Sequence, residues 1–192
     1  MVETAFIYKI CVIGDASVGK SSTILRWSQD TFNEQYQVTV GVQHYTRNIT
    51  VSSKGEEFVI KLIIWDMAGQ EMFKHVRPIF YRASRGVILM FDITKPETFE
   101  NLPTWVNEAV DNIGTKVPFL LVGNKSDLTP HRVDKSHALQ YAEEIEGSFI
   151  LSSAKTGDNV GDIFGQITTM ILEYNSTEKT QNPSHTKSTW MR

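Results

Sequence analysis

The chain has 192 residues, of which 41% are apolar and 21% charged, and its net charge is −3. That describes one ordinary globular domain, or a domain with a tail, able to bury roughly 70% of its extended-chain surface. The slightly acidic balance argues against general nucleic-acid binding through a basic surface, the single cysteine (Cys11) excludes an intrachain disulfide and fits a reducing compartment, and the longest fully apolar runs, such as Val87 to Phe91, fall far short of the roughly 20 residues that span a bilayer.

Apolar clusters alternate with helical patterns along the chain. Phe6 to Ile13 reads as a strand and Lys20 to Asp30 as a helix. His44 to Val51 and Phe58 to Trp65 read as two strands joined by a tip at Ser52 to Glu57. Gly86 to Phe91 is a buried strand, Glu97 to Ile113 a helix closed by Gly114, and Pro118 to Asn124 another strand. Val133 to Glu146 reads as a helix and Phe149 to Ser152 as a short strand. Ile163, Phe164, Ile167, Met170, Ile171 and Tyr174 then share one helical face. This alternation predicts an α/β fold: a doubly wound, six-stranded, mostly parallel sheet with helices on both faces. Residues 1–174 form the domain. Residues 175–192, rich in Ser, Thr, Asn and Gln, read as a disordered tail.

Gly14-Asp15-Ala16-Ser17-Val18-Gly19-Lys20-Ser21 matches G-x-x-x-x-G-K-[ST], after a strand and at the start of a helix. That is the pattern expected of a phosphate-binding P-loop. Backbone N–H groups and the positive helix end can surround a polyphosphate. Lys20 can reach the β and γ phosphates, and the Ser21 hydroxyl can ligate Mg²⁺. Ser22 completes the nucleotide-binding run.

Asn124-Lys125-Ser126-Asp127 follows a strand and matches N-K-x-D. The Asp127 carboxylate can accept two hydrogen bonds from the N1 and N2 donors of guanine, a pair adenine lacks. Asn124 can tie this segment to the phosphate loop, and the stem of Lys125 can cover the base. Ser153-Ala154-Lys155 follows the next strand, and the Ala154 N–H can meet guanine O6. Trp65-Asp66-Met67-Ala68-Gly69-Gln70-Glu71 follows the second strand of the hairpin. Asp66 can hold Mg²⁺ through water, the Gly69 N–H can meet the γ-phosphate, and Gln70 can orient a water for in-line attack.

The chain resembles the Ras superfamily of small GTPases over about residues 6–174, and looks most like the Rab branch. The shared motifs read GDASVGKS, a threonine at Thr39, WDMAGQE, NKSD and SAK. The resemblance implies that Thr39 ligates Mg²⁺ and binds the γ-phosphate through its backbone. It also implies that Phe32 packs edge-on against guanine and that Tyr36 closes over the phosphates. GTP would hold two loops, around Phe32 to Val42 and Asp66 to Arg77, that relax when the γ-phosphate is lost. Lys20, Thr39 and Gln70 are the expected catalytic set, with GTP or GDP and Mg²⁺ as the bound species. Effectors, exchange factors and GTPase-activating proteins are the expected partners, through those two loops.

Four features depart from the Rab pattern. His44 stands where the branch has an aromatic that packs with Trp65. Phe80-Tyr81-Arg82-Ala83-Ser84 only approximates YYRGA, and the hairpin is longer than is common. The last four residues carry no cysteine to prenylate, and Met1-Val2-Glu3 begins neither a signal peptide nor a myristoylation motif. The expectation is a soluble, cytoplasmic monomer without its own membrane anchor, reaching membranes through partners or a further modification. Ala16 and the lack of Arg or Lys between Phe32 and Val40 imply slow intrinsic hydrolysis that needs a cation from a partner. The alternatives are a binding module that barely hydrolyses GTP, which the presence of Gln70, Thr39 and Lys20 opposes, and a P-loop ATPase or small-molecule kinase, which Asp127 and Ala154 oppose.

Overall fold

The computed structural model describes residues 6–32, 39–53 and 55–181, with the side chains of 178–181 left aside. Six strands form one sheet: β1 (Phe6–Ile13), β2 (Val42–Ser53), β3 (Glu56–Met67), β4 (Gly86–Asp92), β5 (Phe119–Asn124) and β6 (Ser148–Leu151), in the order β2-β3-β1-β4-β5-β6. β2 and β3 are antiparallel, and every other pairing is parallel. The helices are α1 (Lys20–Gln29), α2 (Arg77–Tyr81), α3 (Pro96–Glu100), α4 (Leu102–Ile113), α5 (Lys135–Glu144) and α6 (Val160–Gln181), with a 3₁₀ turn at Glu71–Phe73.

The period-two alternation of β1 divides the core. Tyr8, Ile10 and Val12 face one side, packed with Ile24 of α1 and Ile163, Phe164 and Ile167 of α6. Cys11 and Ile13 face the other side, with Tyr81 of α2, Leu102 and Trp105 of α4 and Ala138 of α5. The continuous apolar runs of β4 and β5 are buried throughout, as a sheet covered on both faces requires. β1 lies between β3 and β4, where the strand order reverses. The crevice for a ligand therefore opens beyond its carboxyl end, at Ile13.

Several boundaries differ from the sequence expectation. The hairpin pairing continues to Ser53 opposite Glu56, so the turn holds two residues rather than the six from Ser52 to Glu57. Gly55 there has φ +81°, which a tight hairpin turn demands. The helix expected over Glu97 to Ile113 is two helices. Pro103 has no N–H for the carbonyl of Phe99 and its ring would collide with it, so the chain breaks at Asn101. α5 begins at Lys135 rather than Val133, because the Asp134 side chain accepts the Ser136 N–H at 2.7 Å and caps it. α6 continues past Tyr174 to Gln181, into the stretch expected to be disordered, and residues 182–192 lie outside the described residues.

Candidate functional site: a phosphate loop, a base loop and a glutamine strap

The turn from β1 into α1 is built for an anion. Gly14 has φ +135° and Gly19 φ +102°. A Cβ on Gly14 would lie 2.1 Å from the Met90 carbonyl oxygen, and one on Gly19 would lie 2.1 Å from Asn124 Nδ2. Only glycine fits either place. α1 has no side-chain cap and no acidic residue in its first turn, so its leading N–H groups face the crevice without a competing side-chain acceptor. Ala16 and Ser17 are exposed at the tip of the loop and Val18 is buried beneath it. Ser22 is half-buried at the helix start.

Lys20 is 6% exposed, and its ammonium donates to the carbonyls of Gly14 (2.8 Å) and Asp15 (2.6 Å). Burial pushes its pKa down to about 8, against the opposing pull of the Asp66 and Asp15 carboxylates. Asp15 is fixed from the side: Oδ1 accepts from Trp105 Nε1 (2.7 Å) and Oδ2 from Asn101 Nδ2 (3.0 Å).

Three oxygens meet beside Lys20. The Ser21 hydroxyl lies 2.6 Å from the Thr39 hydroxyl and donates to Asp66 Oδ2. Asp66 is fully buried, and its Oδ1 has no hydrogen-bond partner among the described residues. Burial raises the Asp66 pKa, while the Ser21 hydrogen bond and the Lys20 charge pull it down. An all-oxygen set with a spare buried carboxylate oxygen is the donor chemistry that suits Mg²⁺. Among the described residues no cluster of three His, Cys, Asp or Glu competes for a metal.

Gly69 lies against the phosphate loop, where an added Cβ would come within 2.4 Å of the Ala16 nitrogen and the Asp15 carbonyl carbon. Gln70 follows, half-buried, with its Oε1 buried and unpartnered. Phe32 is half-buried. Tyr36 lies outside the described residues.

The base loops join this cradle through Asn124. Its Nδ2 donates to the Val18 carbonyl (2.8 Å), and its Oδ1 accepts from Ala154 N–H (3.1 Å) and Ser152 Oγ (3.2 Å). Asp127 is exposed, and its Oδ1 accepts from Ser153 Oγ at 2.5 Å. Lys155 is exposed, and its carbonyl accepts from Arg26 of α1 (3.2 Å). Lys125, at φ +67°, is anchored by Asp92 at 2.6 Å.

The Asp92 pKa lies below its ordinary value of 3.8. Burial alone would raise it, but the Lys125 ammonium and the Thr94 hydroxyl and N–H outweigh burial. The depressed value stabilises the fold above the ordinary carboxylate range, and that contribution is lost as pH falls through the native value. Asp92→Asn should therefore unfold at lower denaturant than the parent at pH 6. The gap should narrow on titration below 3.8. A gap that stays constant would show that the carboxylate charge is not what holds Lys125.

His44 keeps a ring contact with Trp65, 5.6 Å between centroids, and Trp65 packs on Phe80 at 5.3 Å. Glu71 pairs with Lys74 at the surface, apart from any reacting position. Sequence reasoning missed Trp105, Asn101, Asp92 and Arg26, which hold the loops from other elements. It also missed Arg77, Tyr81 and Glu108, whose side chains meet behind Gln70.

Fold and site together define a P-loop protein in which the glutamine-bearing strap after β3 and the Asn124 and Ala154 segments after β5 and β6 flank the phosphate loop on opposite sides. The model of the Ras family matches residues 9–173. The chain is 38% identical over 167 residues to the Ras-related protein Rab-13 of Canis lupus familiaris, covering 86% of this chain and 80% of that one. It is 39% identical over 167 residues to the Ras-related protein Rab-18 of Lymnaea stagnalis, with the same coverage of 86% and 80%. It is 40% identical over 163 residues to the GTP-binding protein YPTM1 of Zea mays, covering 84% and 76%. This chain belongs to the Ras family, on its Rab branch, and is a GTP-binding small GTPase. No helix among its described residues is long and apolar enough to cross a membrane.

Proposed function

We propose that the chain is a slow GTP-hydrolysing switch of the Rab type, acting in membrane traffic or related signalling. The observation that carries this is the Asn124 side chain, which bonds the phosphate loop at Val18 and the second base loop at Ala154 at once. One side chain thereby sets the distance between the polyphosphate and the base. Asp127 accepts from guanine N1 and N2, Ala154 N–H donates to O6, and Lys125 and Phe32 cover the ring. Gly14 to Ser22 wrap the phosphates.

Lys20 holds its ammonium where the β and γ phosphates lie and carries positive charge toward the bridging oxygen. Ser21, Thr39 and Asp66 would hold Mg²⁺, the two hydroxyls directly and the carboxylate through water. When bound, the ion neutralises charge building on the β and γ oxygens. The backbone N–H groups of Thr39 and Gly69 bind the γ-phosphate, so its loss frees both loops. Gln70 accepts from and donates to the attacking water. Water adds to the γ-phosphorus as the bond to the β-γ bridging oxygen breaks, giving GDP and phosphate.

No Arg or Lys occurs between Phe32 and Val40, and Ala16 is exposed at the tip of the phosphate loop, close to the space an inserted arginine would need. An activating protein's arginine is expected to raise the rate by roughly 10³–10⁵-fold, as it does for Ras itself. Effectors and exchange factors engage the same two loops. The protein works as a monomer in the cytoplasm, meeting membranes peripherally through partners or a modification.

The test is single-turnover hydrolysis of bound GTP with Mg²⁺, beside competition of ATP against labelled GDP. The parent should release phosphate slowly and ignore ATP. Gln70→Leu should slow release by about tenfold to a hundredfold, because the water loses its orienting partner, with GDP affinity unchanged. Displacement of GDP by ATP as readily as by GTP would remove the base-site assignment. A Gln70→Leu variant as fast as the parent would remove the role given to Gln70.

A further inference from the structure

The strap that carries Gln70 is held from behind by an arginine that the hydrolytic chemistry does not use. Arg77 is 2% exposed. Its guanidinium makes a two-pronged pair with Glu108 of α4, Nε to Oε1 at 2.6 Å and one terminal nitrogen to Oε2 at 2.7 Å. The other terminal nitrogen donates to the Gln70 carbonyl at 3.1 Å and reaches the Ala68 carbonyl at 3.5 Å. The Tyr81 hydroxyl adds a third bond to Glu108 at 3.0 Å. The guanidinium also lies over the Trp105 ring, 4.4 Å from its centroid. Trp105 in turn donates to Asp15 of the phosphate loop.

A buried ion pair is poor evidence of stability, since desolvating two charges offsets most of their attraction, but it can select one conformation. The planar fork of arginine satisfies a carboxylate and peptide carbonyls in one plane while stacking on an indole, which lysine cannot do. Every donor of Arg77 named here is spent on fixing chain geometry. The peptide it fixes spans Gly69, and at the other edge of that strap the Ala68 N–H donates to the Gly41 carbonyl (3.0 Å) beside Thr39.

We propose that Arg77, oriented by Glu108 and Tyr81 and stacked on Trp105, is a positioning residue that fixes the Ala68–Gln70 peptide so that Gln70 presents its amide to the attacking water. It makes α4 a common support for the phosphate loop and the hydrolytic glutamine. The inference rests on the GTP-hydrolysis reading of the site. The peptide it fixes lies on the γ-phosphate side, so its loss should slow hydrolysis far more than it changes GDP release.

The test is a double-mutant cycle in single-turnover GTP hydrolysis on the full chain loaded with nucleotide and Mg²⁺. Arg77→Lys, which keeps the charge but loses the fork, and Glu108→Gln, which keeps the shape, are each combined with Gln70→Ala. Asp111→Asn, on the exposed face of α4, is the control. The expected result is hydrolysis slowed by about tenfold or more in each single variant, a GDP dissociation rate within about twofold of the parent, and no further slowing in the Gln70→Ala background. If Glu108→Gln does not accumulate as a folded, GDP-loaded protein, Arg77→Lys carries the cycle alone. Equal slowing with and without Gln70 would overturn the positioning role, as would GDP release accelerated in step with lost hydrolysis. A parent that binds no GDP would instead remove the GTPase reading, so the two failures are distinct.

Discussion

Asp127→Asn is expected to move the nucleotide preference from guanine to xanthine. The carboxylate is exposed to the crevice and oriented by one bond from Ser153 Oγ at 2.5 Å, which leaves its remaining lone pairs for a ligand. Guanine offers two donors on that edge, N1–H and the N2 amine. Asparagine presents one acceptor and one donor. With its oxygen kept toward Ser153 Oγ, its amine points at the guanine amine, donor against donor. Xanthine carries a carbonyl where guanine carries that amine, and it accepts from the new amide.

Hydrogen bonds to a charged group contribute about 1.5–3 kcal/mol each, so losing two weakens GDP by about 10²–10⁴-fold. A site left with an unpaired polar group rejects its former ligand by a similar factor. Xanthosine diphosphate should bind the variant better than GDP does, and the parent should show the reverse. Competition against a fluorescent nucleotide measures both. A variant that weakens GDP and xanthosine diphosphate equally would mean that Asp127 supports the loop instead of reading the base.

The parts of this molecule legible in its sequence are those that physics makes local. The phosphate loop is one contiguous run, because the strand end, two glycines without room for a Cβ and an uncapped helix must follow one another directly. The base segments are legible for the same reason, each lying at the carboxyl end of its own strand. Burial on both faces gives β4 and β5 their continuous apolar runs, so their place inside a parallel sheet is readable too.

What escapes is what the fold assembles from distant residues. Arg77 and Glu108 are 31 positions apart. In the sequence Arg77 follows Lys74, His75 and Val76 and looks like one more solvated cation. Nothing local says that it is buried or that its partner lies on another helix. Asp92 looks like the polar end of a strand, although its charge holds Lys125 from below. The break at Asn101 had a signal in Pro103, which the apolar periodicity on either side concealed. The hairpin turn reads longer in the sequence than it is, because Ser52, Glu57 and their neighbours are polar. Polarity marks exposure of an edge ribbon as readily as it marks a turn.

His44 shows how a departure in sequence can leave the geometry standing. Its imidazole meets Trp65 much as an aromatic would, and Trp65 still meets Phe80. The three rings therefore keep a continuous contact, and Val40 (72% exposed) and Ile79 (65% exposed) are further exposed apolar side chains. The substitution changes the chemistry offered there, from a purely apolar ring to one with a polar edge, and leaves the packing in place.

Gly69→Ala is expected to separate GDP binding from everything that depends on the γ-phosphate. A methyl group at this position would sit 2.4 Å from backbone atoms of both Asp15 and Ala16. Those atoms belong to the phosphate loop, which α4 pins through Trp105 and Asn101, so they have little freedom to retreat. The strap must withdraw instead, taking the Gly69 N–H from the γ-phosphate and Gln70 from its water. A displacement of about 1 Å at a reacting centre costs on the order of 10²-fold in rate, and restoring ordinary contact here takes a shift of about that size. Because the strap gives way rather than the pinned phosphate loop, GDP should bind as in the parent. Single-turnover hydrolysis should fall by about 10²-fold or more, and the difference in tryptophan fluorescence between the GDP form and a non-hydrolysable GTP form should shrink, because Trp65 leads into the strap. A variant that keeps parental hydrolysis would show that the phosphate loop yields to the methyl group, and with it that the contact at Gly69 does not set the position of Gln70.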